Sequence, residues 1–166
     1  MAVRPVLSIP DPVLFLPAVA VGGVDDAARA LARDLVDTMR ASPACVGIAA
    51  PQIGVGLRAF ALDVTGHKKA VSCHGEVVLF DPEIVAAADP VTAREGCMSV
   101  PDLTGDVARA SRLTVAGTSV TGARLTLDVD AFEAKAMLHE IDHLDGLVFL
   151  DRVAGPHAVF ARKVYR

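Results

Sequence analysis

His139 and His143 stand four apart in HEIDHLDG, residues 139–146, with Glu140 between them. On an α-helix that spacing sets both imidazoles on one face, one turn apart. This is the HExxH arrangement, two histidine ligands for a metal ion beside a carboxylate that activates water. Five-residue patterns also recur by chance on charged surface helices, so the surroundings must decide. A catalytic metal needs a third protein ligand and one open position. HExxHxxGxxH families place a third histidine six residues after the second, where this chain has Phe149. No glutamate follows Glu140, and Asp145 and Asp151 fit no ligand pattern. The third ligand must come from upstream. The best candidate there is Cys97 in REGCMSVP, residues 94–101, with Glu95 and Gly96 just before it.

The histidine segment carries helix signals. Asp130 followed by Glu133 resembles a capping box before an apolar run, and Gly146 stands where a left-handed residue ends a helix. At 100° per residue Ala134, Met137, Ile141 and Leu144 share one face, and Phe132, Ala136, His139 and His143 the opposite one. A helix apolar or ligand-bearing on both faces is buried. Buried histidines need partners, which favours a metal site over a chance match.

The remaining elements follow from periodicity and turn residues. Residues 5–21 read as extended segments broken by proline. Ala28, Leu31, Leu35 and Met39 recur at helical spacing from Asp25 to Ala41, and Ser42-Pro43 ends that helix. CVGIAAPQIG, 45–54, is small, apolar and patterned as neither helix nor strand; Gln52 is its one amide and Cys45 reads as a buried thiol. Residues 57–64 read as a strand, and 77–85 as two short strands broken at Asp81-Pro82. His67, Cys73 and His74 match no metal template and read as an exposed loop. Residues 112–117 and 123–129 alternate as an antiparallel pair around a turn at 118–122. Residues 147–153 read as a last strand. The tail from Pro156 to Arg166 reads as one or two helical turns with His157 in solvent. Seven or so strands and two helices that do not alternate regularly predict an α+β fold: antiparallel β-sheets packed around a buried central helix that carries HExxH.

The bulk numbers narrow the class. A chain of 166 residues, 52% hydrophobic, suits one domain spanning 1–166 with a real core. A formal charge of −4 argues against a nucleic-acid face. There is no like-charge tail, repeat or low-complexity segment. Three cysteines make no disulfide framework and fit a reducing cytoplasm. VLFLPAVAV, 13–21, faintly resembles a signal peptide, but nearby Asp11 and four prolines interrupt it, and it is too short to span a membrane. We expect no membrane association.

Three segments taken together, CVGIAAPQ at 45–52, EGCMS at 95–99 and HEIDH at 139–143, resemble the peptide deformylase family, whose pattern runs GxGxAAxQ, EGCxS, QHExDH in that order. The likeness extends over nearly the whole chain, through PDP at 10–12, Val107 and Arg109, and HLDG. It implies a metal-dependent hydrolase that removes the formyl group from N-formylmethionyl nascent peptides and releases formate, with a transient ribosome contact. It implies one divalent metal per chain, Fe(II) in the cell with Zn(II), Ni(II) or Co(II) as other occupants, held by Cys97, His139 and His143. Glu140 would be the general base and acid. Gln52 and the Met98 backbone N–H would meet the oxyanion, and Gly47 matches the second glycine of the first motif. Phe132 and Ala136, on the histidine face, are expected to wall an apolar slot with Val46 and Ile48, suited to a methionine side chain. Arg109 is expected to pair with Glu95 or Asp142, because acids buried beside ligands need a cation.

The chain departs from that pattern at four positions. Cys45 replaces a glycine, Met98 a leucine, Leu138 the glutamine before HExDH, and Phe15 a frequent arginine. Set beside the resemblance, the C-terminal helix common in bacterial members is expected to be truncated. These departures bear on efficiency and substrate identity. They admit a paralogue acting on another formamide. A non-catalytic formyl-peptide or metal binder is a third reading, which Glu140 opposes, since binding alone needs no base.

Overall fold

The computed structural model describes residues 2–163. Among the described residues it has two α-helices and six strands in one antiparallel sheet, with β1 to β5 in chain order across it and β6 on β4. The class is α+β as expected, built on a single sheet where several were anticipated. No helix among the described residues is long and apolar enough to cross a membrane.

The amino-terminal segment is extended apart from one 3-10 turn, Pro12–Phe15, capped by the Asp11 carboxylate. Helix α1, Asp26–Ala41, starts as its sequence dictates: Asp25 accepts from the Ala28 N–H at 2.8 Å and offsets an orphan helix donor. Leu31, Leu35 and Met39 bury one face against Ile48, Ile53 and Phe80. Strand β1, Gly47–Ala49, pairs with β2, Ala59–Leu62. Period-two alternation sends Ile48 towards α1 and Ala49 into the second cluster, with Phe60, Leu79 and Met137. A 3-10 turn, Ala50–Ile53, follows β1 directly and holds Gln52.

Strand β3, Val77–Cys97, and strand β4, Val100–Thr118, form a long hairpin closed by Met98 and Ser99. The break expected at Asp81-Pro82 is a register irregularity between Phe80 and Glu83, and the strand runs on. Pro82 lies in that irregularity, and Pro90 in the part of β3 that pairs with β4 on one side only, the two places where a strand accommodates proline. Strand β5, Arg124–Asp130, pairs with Arg112–Thr118 of β4, as the alternation predicted.

Helix α2, Ala131–Leu144, follows β5 without a loop. The reversal falls on Ala131, whose φ of 47° is left-handed, a conformation costing an L-residue about 1 kcal/mol. The capping box expected from Asp130 and Glu133 is absent. Asp130 Oδ1 accepts from the Ser72 N–H and Glu133 from Ser72 Oγ, so both acids serve the preceding connection instead. Gly146 does end the helix left-handed, at φ 76°. A Cβ there would lie 2.9 Å from the backbone of Phe15 and Leu16, so the amino-terminal segment crosses where only glycine fits.

Residues 147–153 form no strand. They hold a 3-10 turn, Phe149–Asp151, and a single bridge from Val153 to Val107. Phe149 buries itself over Gly105, where a Cβ would sit 2.9 Å from its ring. The tail holds one helical turn, the 3-10 turn Pro156–Ala158, and then β6, Val159–Ala161, which was not expected; its last three residues lie outside the described ones. His157 is exposed, as expected.

Candidate metal centre

His139 and His143 fall in the second half of α2, and Cys97 ends β3 at the tip of the long hairpin. One ligand atom from each lies within 4.8 Å of the others. Cys97 Sγ stands 3.3 Å from His143 Nε2. Glu95 Oε2 lies 2.9 Å from His139 Nδ1. A carboxylate only accepts, so His139 donates its Nδ1–H to Glu95, and Nε2 is the nitrogen turned to Cys97, where a cation would take the place of a proton.

The electrostatics suit a cation. Burial works against charge on His139, yet hydrogen bonds to Cys97 and Glu95 outweigh it, and the pKa is raised to about 10. Positive charge is therefore favoured between these groups. Burial, with His139 and Arg109 nearby, holds His143 well below its ordinary value and keeps it neutral, the form that ligates. His143 Nδ1 is buried without a hydrogen-bond partner. A thiolate and two imidazoles form the soft, mixed donor set of Fe(II) or zinc sites rather than magnesium or calcium sites.

Glu140 points beside this trio with Oε2 buried and unpartnered. Burial raises its pKa to about 7, against the opposing pull of His139 and Arg109. Gly47 makes room for it: a Cβ there would stand 2.6 Å from Glu140 Oε1.

Arg109, 6% exposed, meets both acids proposed as its partners. Its Nη1 donates to Asp142 Oδ2 at 2.8 Å and its Nη2 to Glu95 Oε2 at 3.1 Å. Burial pushes the Glu95 carboxyl up, but hydrogen bonds from His139 and Arg109 win and hold it below its usual value. Asp142 is also held by Arg152, at 2.9 Å. One chain of ion pairs thus ties β4 to the residues beside both histidines.

A cavity of about 550 Å³ opens onto the centre. Cys97, His139 and Glu140 line it, as do Val46, Gly47, Gln52, Met98, Phe132 and Ala136. Ile48 does not. It is fully buried against α1, because β1 turns that side chain to the opposite face. Gln52 Oε1 accepts from the Ala49 N–H at 2.9 Å, while Nε2 donates to Ser99 Oγ at 3.1 Å and lies 3.6 Å from Cys97 Sγ.

Four residues of the surroundings were not anticipated. Ser99, fully buried, braces Gln52 and was legible only as the last letter of EGCMS. Arg152 and Arg162 come from segments whose local patterns give no sign of a contact with the centre. Arg162 Nη2 donates to the Cys97 carbonyl at 2.9 Å, across 65 residues of sequence. His67, expected in an exposed loop, is half-buried and lines the cavity. Cys73 and His74 are exposed as expected, although the His74 ring reaches Glu133.

Comparison with known proteins agrees with this geometry. A family model described as Polypeptide deformylase matches residues 3–158. A peptide deformylase of Desulforudis audaxviator is 43% identical over 164 residues, 98% of this chain and 99% of its own. One from Acidothermus cellulolyticus is 39% identical over 166 residues, 100% of this chain and 87% of its own. The crystal structure of a peptide deformylase from Legionella pneumophila superposes with a TM-score of 0.85 at 35% identity, covering 94% of this chain and 88% of that one. A peptide deformylase from Ehrlichia chaffeensis in complex with actinonin gives 0.86 at 31% identity, covering 93% and 90%. With the matched model spanning most of its length and full-length relatives well above a third identical, the chain belongs to the polypeptide deformylase family.

Proposed function

We propose that this chain hydrolyses the formamide of N-formylmethionyl peptides, with α2 as the central helix that carries HExxH. Cys97, His139 and His143 would hold one divalent cation, Fe(II) in the cell, with Zn(II), Ni(II) and Co(II) compatible with the same donors. The observation that carries the reading is an unpaired, buried Glu140 carboxylate beside three converging donors in an open cavity. A bound cation supplies Lewis acidity and makes water a nucleophile near neutral pH.

The chain's own residues supply the rest. Glu140, poised near neutrality, accepts a proton as water adds to the formyl carbon and returns it to the departing nitrogen as the C–N bond breaks. Formate and a free amine result. Gln52 is braced through Oε1, so its Nε2 is held beside Cys97 to donate to the developing oxyanion with the Met98 N–H. Glu95 keeps His139 in the ligating tautomer, and Arg109 keeps Glu95 charged. Phe132, Ala136 and Val46 give the cavity an apolar side suited to a methionine side chain.

The test uses anaerobically purified protein, with metal content and formate release from formyl-Met-Ala measured together. Wild type should hold one metal per chain and turn over. Cys97→Ala should lose the metal. Glu140→Ala should keep it while kcat falls roughly a hundred- to ten-thousandfold. Full metal occupancy in Cys97→Ala, or full activity in Glu140→Ala, would overturn the assignment.

A further inference from the structure

The connection between β2 and β3 is pinned to α2 by a hydrogen-bond cluster that the proposed chemistry does not use. Glu133 sits on α2 with its side chain fully buried and, among the described residues, no lysine or arginine paired with it. A buried carboxylate is costly unless its oxygens are satisfied. Here Ser72 Oγ donates to Oε2 at 2.5 Å, the His74 N–H donates to Oε1 at 2.9 Å, and His74 Nδ1 lies 3.1 Å from Oε2. The Asp130 N–H donates to Ser72 Oγ at 2.8 Å, and the Ser72 N–H to Asp130 Oδ1 at 2.9 Å. The cluster braces the left-handed Ala131 reversal and fixes the connection on the helix start.

The same connection lays His67 flat on Phe132. The ring centroids are 3.8 Å apart and the planes 5° from parallel. The Lys69 N–H donates to His67 Nδ1 at 3.2 Å and sets the ring's rotation. His67, Lys69 and Phe132 all line the cavity. Phe132 precedes His139 by seven residues, about 10 Å along the helix axis. On the functional reading above, a first side chain running from Glu140 along this wall would reach the stacked pair.

We propose that His67 is a specificity-determining residue: stacked on Phe132, it closes the far end of the side-chain slot, and Glu133 is the positioning residue that holds it there through Ser72 and His74. This rests on the functional reading above. The pair presents a flat, polarizable surface to an unbranched thioether, a favourable sulfur–aromatic contact. A ring extending that far meets it end-on.

The test compares steady-state constants on formyl-Met-Ala and formyl-Phe-Ala for metal-loaded wild type, His67→Ala, His67→Phe, Glu133→Ala and Glu133→Gln. His67→Ala should raise KM for formyl-Met-Ala about five- to tenfold and leave kcat within about twofold, the size of one lost ring contact. Its preference for Met over Phe should fall by a similar factor, and His67→Phe should restore both. Glu133→Ala should move KM and preference the same way with metal content unchanged, and Glu133→Gln, which keeps an acceptor oxygen, should recover part of the loss. Combined with His67→Ala it should add nothing, since the two act as one unit. If Glu133→Ala does not fold, Ser72→Ala carries the same comparison. Unchanged KM and preference in His67→Ala would overturn the specificity role, and additive effects would overturn the positioning role. Failure of wild type on every formyl peptide would instead defeat the functional reading.

Discussion

Gly47→Ala tests how closely Glu140 must be placed. A Cβ at residue 47 would lie 2.6 Å from Glu140 Oε1, 3.0 Å from Cδ and 3.1 Å from Cγ. Ordinary contact begins near 3.4 Å, so the carboxylate must retreat by roughly 0.8 Å. The fold should tolerate this. Gly47 is not left-handed, and the obstructing atoms end a side chain that can rotate. Alanine also lowers the entropy of the unfolded chain, worth about 0.4–1 kcal/mol in favour of folding. We expect stability within about 1 kcal/mol of wild type by urea denaturation. Catalysis should not tolerate it, because a 1 Å misplacement of a reacting group costs about a hundredfold. The expected kcat for formyl-Met-Ala is therefore roughly thirty- to a hundredfold lower, with metal content unchanged. Gly23→Ala is the control, since a Cβ there meets nothing within 4 Å. A Gly47→Ala enzyme within twofold of wild type in kcat would refute the idea that this glycine exists to seat Glu140.

Two further outcomes follow from the buried charges. Arg109→Met strands Glu95 and Asp142, both largely buried, and should cost about 3–5 kcal/mol in urea denaturation; a loss under 1 kcal/mol would show that Arg152 and water suffice. Glu140 is an acid whose folded pKa, about 7, is raised above its ordinary 4.5. The folded state thus binds more protons than the unfolded one, and stability declines as pH rises from about 4.5 to about 7. In chelator-treated protein Glu140→Gln should be the more stable by roughly 2–4 kcal/mol above pH 7, with the advantage vanishing below about pH 4.5. A difference independent of pH would refute it.

The groups that converge at the candidate centre were more legible than the strands that carry them. The HEIDH spacing, the cysteine of EGCMS and the partners of Arg109 could be read because each rests on short-range pattern or on the need to neutralise a buried charge. The long hairpin was hidden by prolines that normally punctuate strands; β3 carries them in a register irregularity and where it pairs on one side only, properties of topology that no local window contains. Residues 147–153 open on an apolar run like a buried strand but pair with β4 only at Val153, and Phe149 packs its ring over Gly105. Asp130 and Glu133 have capping-box spacing, yet Ser72 and His74 claim them across about 60 residues of sequence. Ile48, apolar and expected in the slot, is instead fully buried against α1.

The hairpin that carries Cys97 also limits how the chain can change length. Cys97 pairs with Val100 across a two-residue turn, and an irregularity between Gly96 and Cys97 sets which way the thiol faces. Because side chains alternate along a strand, removing one residue from either arm near the tip would rotate the thiol to the other side of the sheet. Removing a matched pair from both arms would keep its direction but draw it back along the strand by about 7 Å, away from His139 and His143. Insertions and deletions are therefore tolerable only at the hairpin's far end or beyond it, in turns such as 119–123, where no group of the proposed metal centre depends on the register.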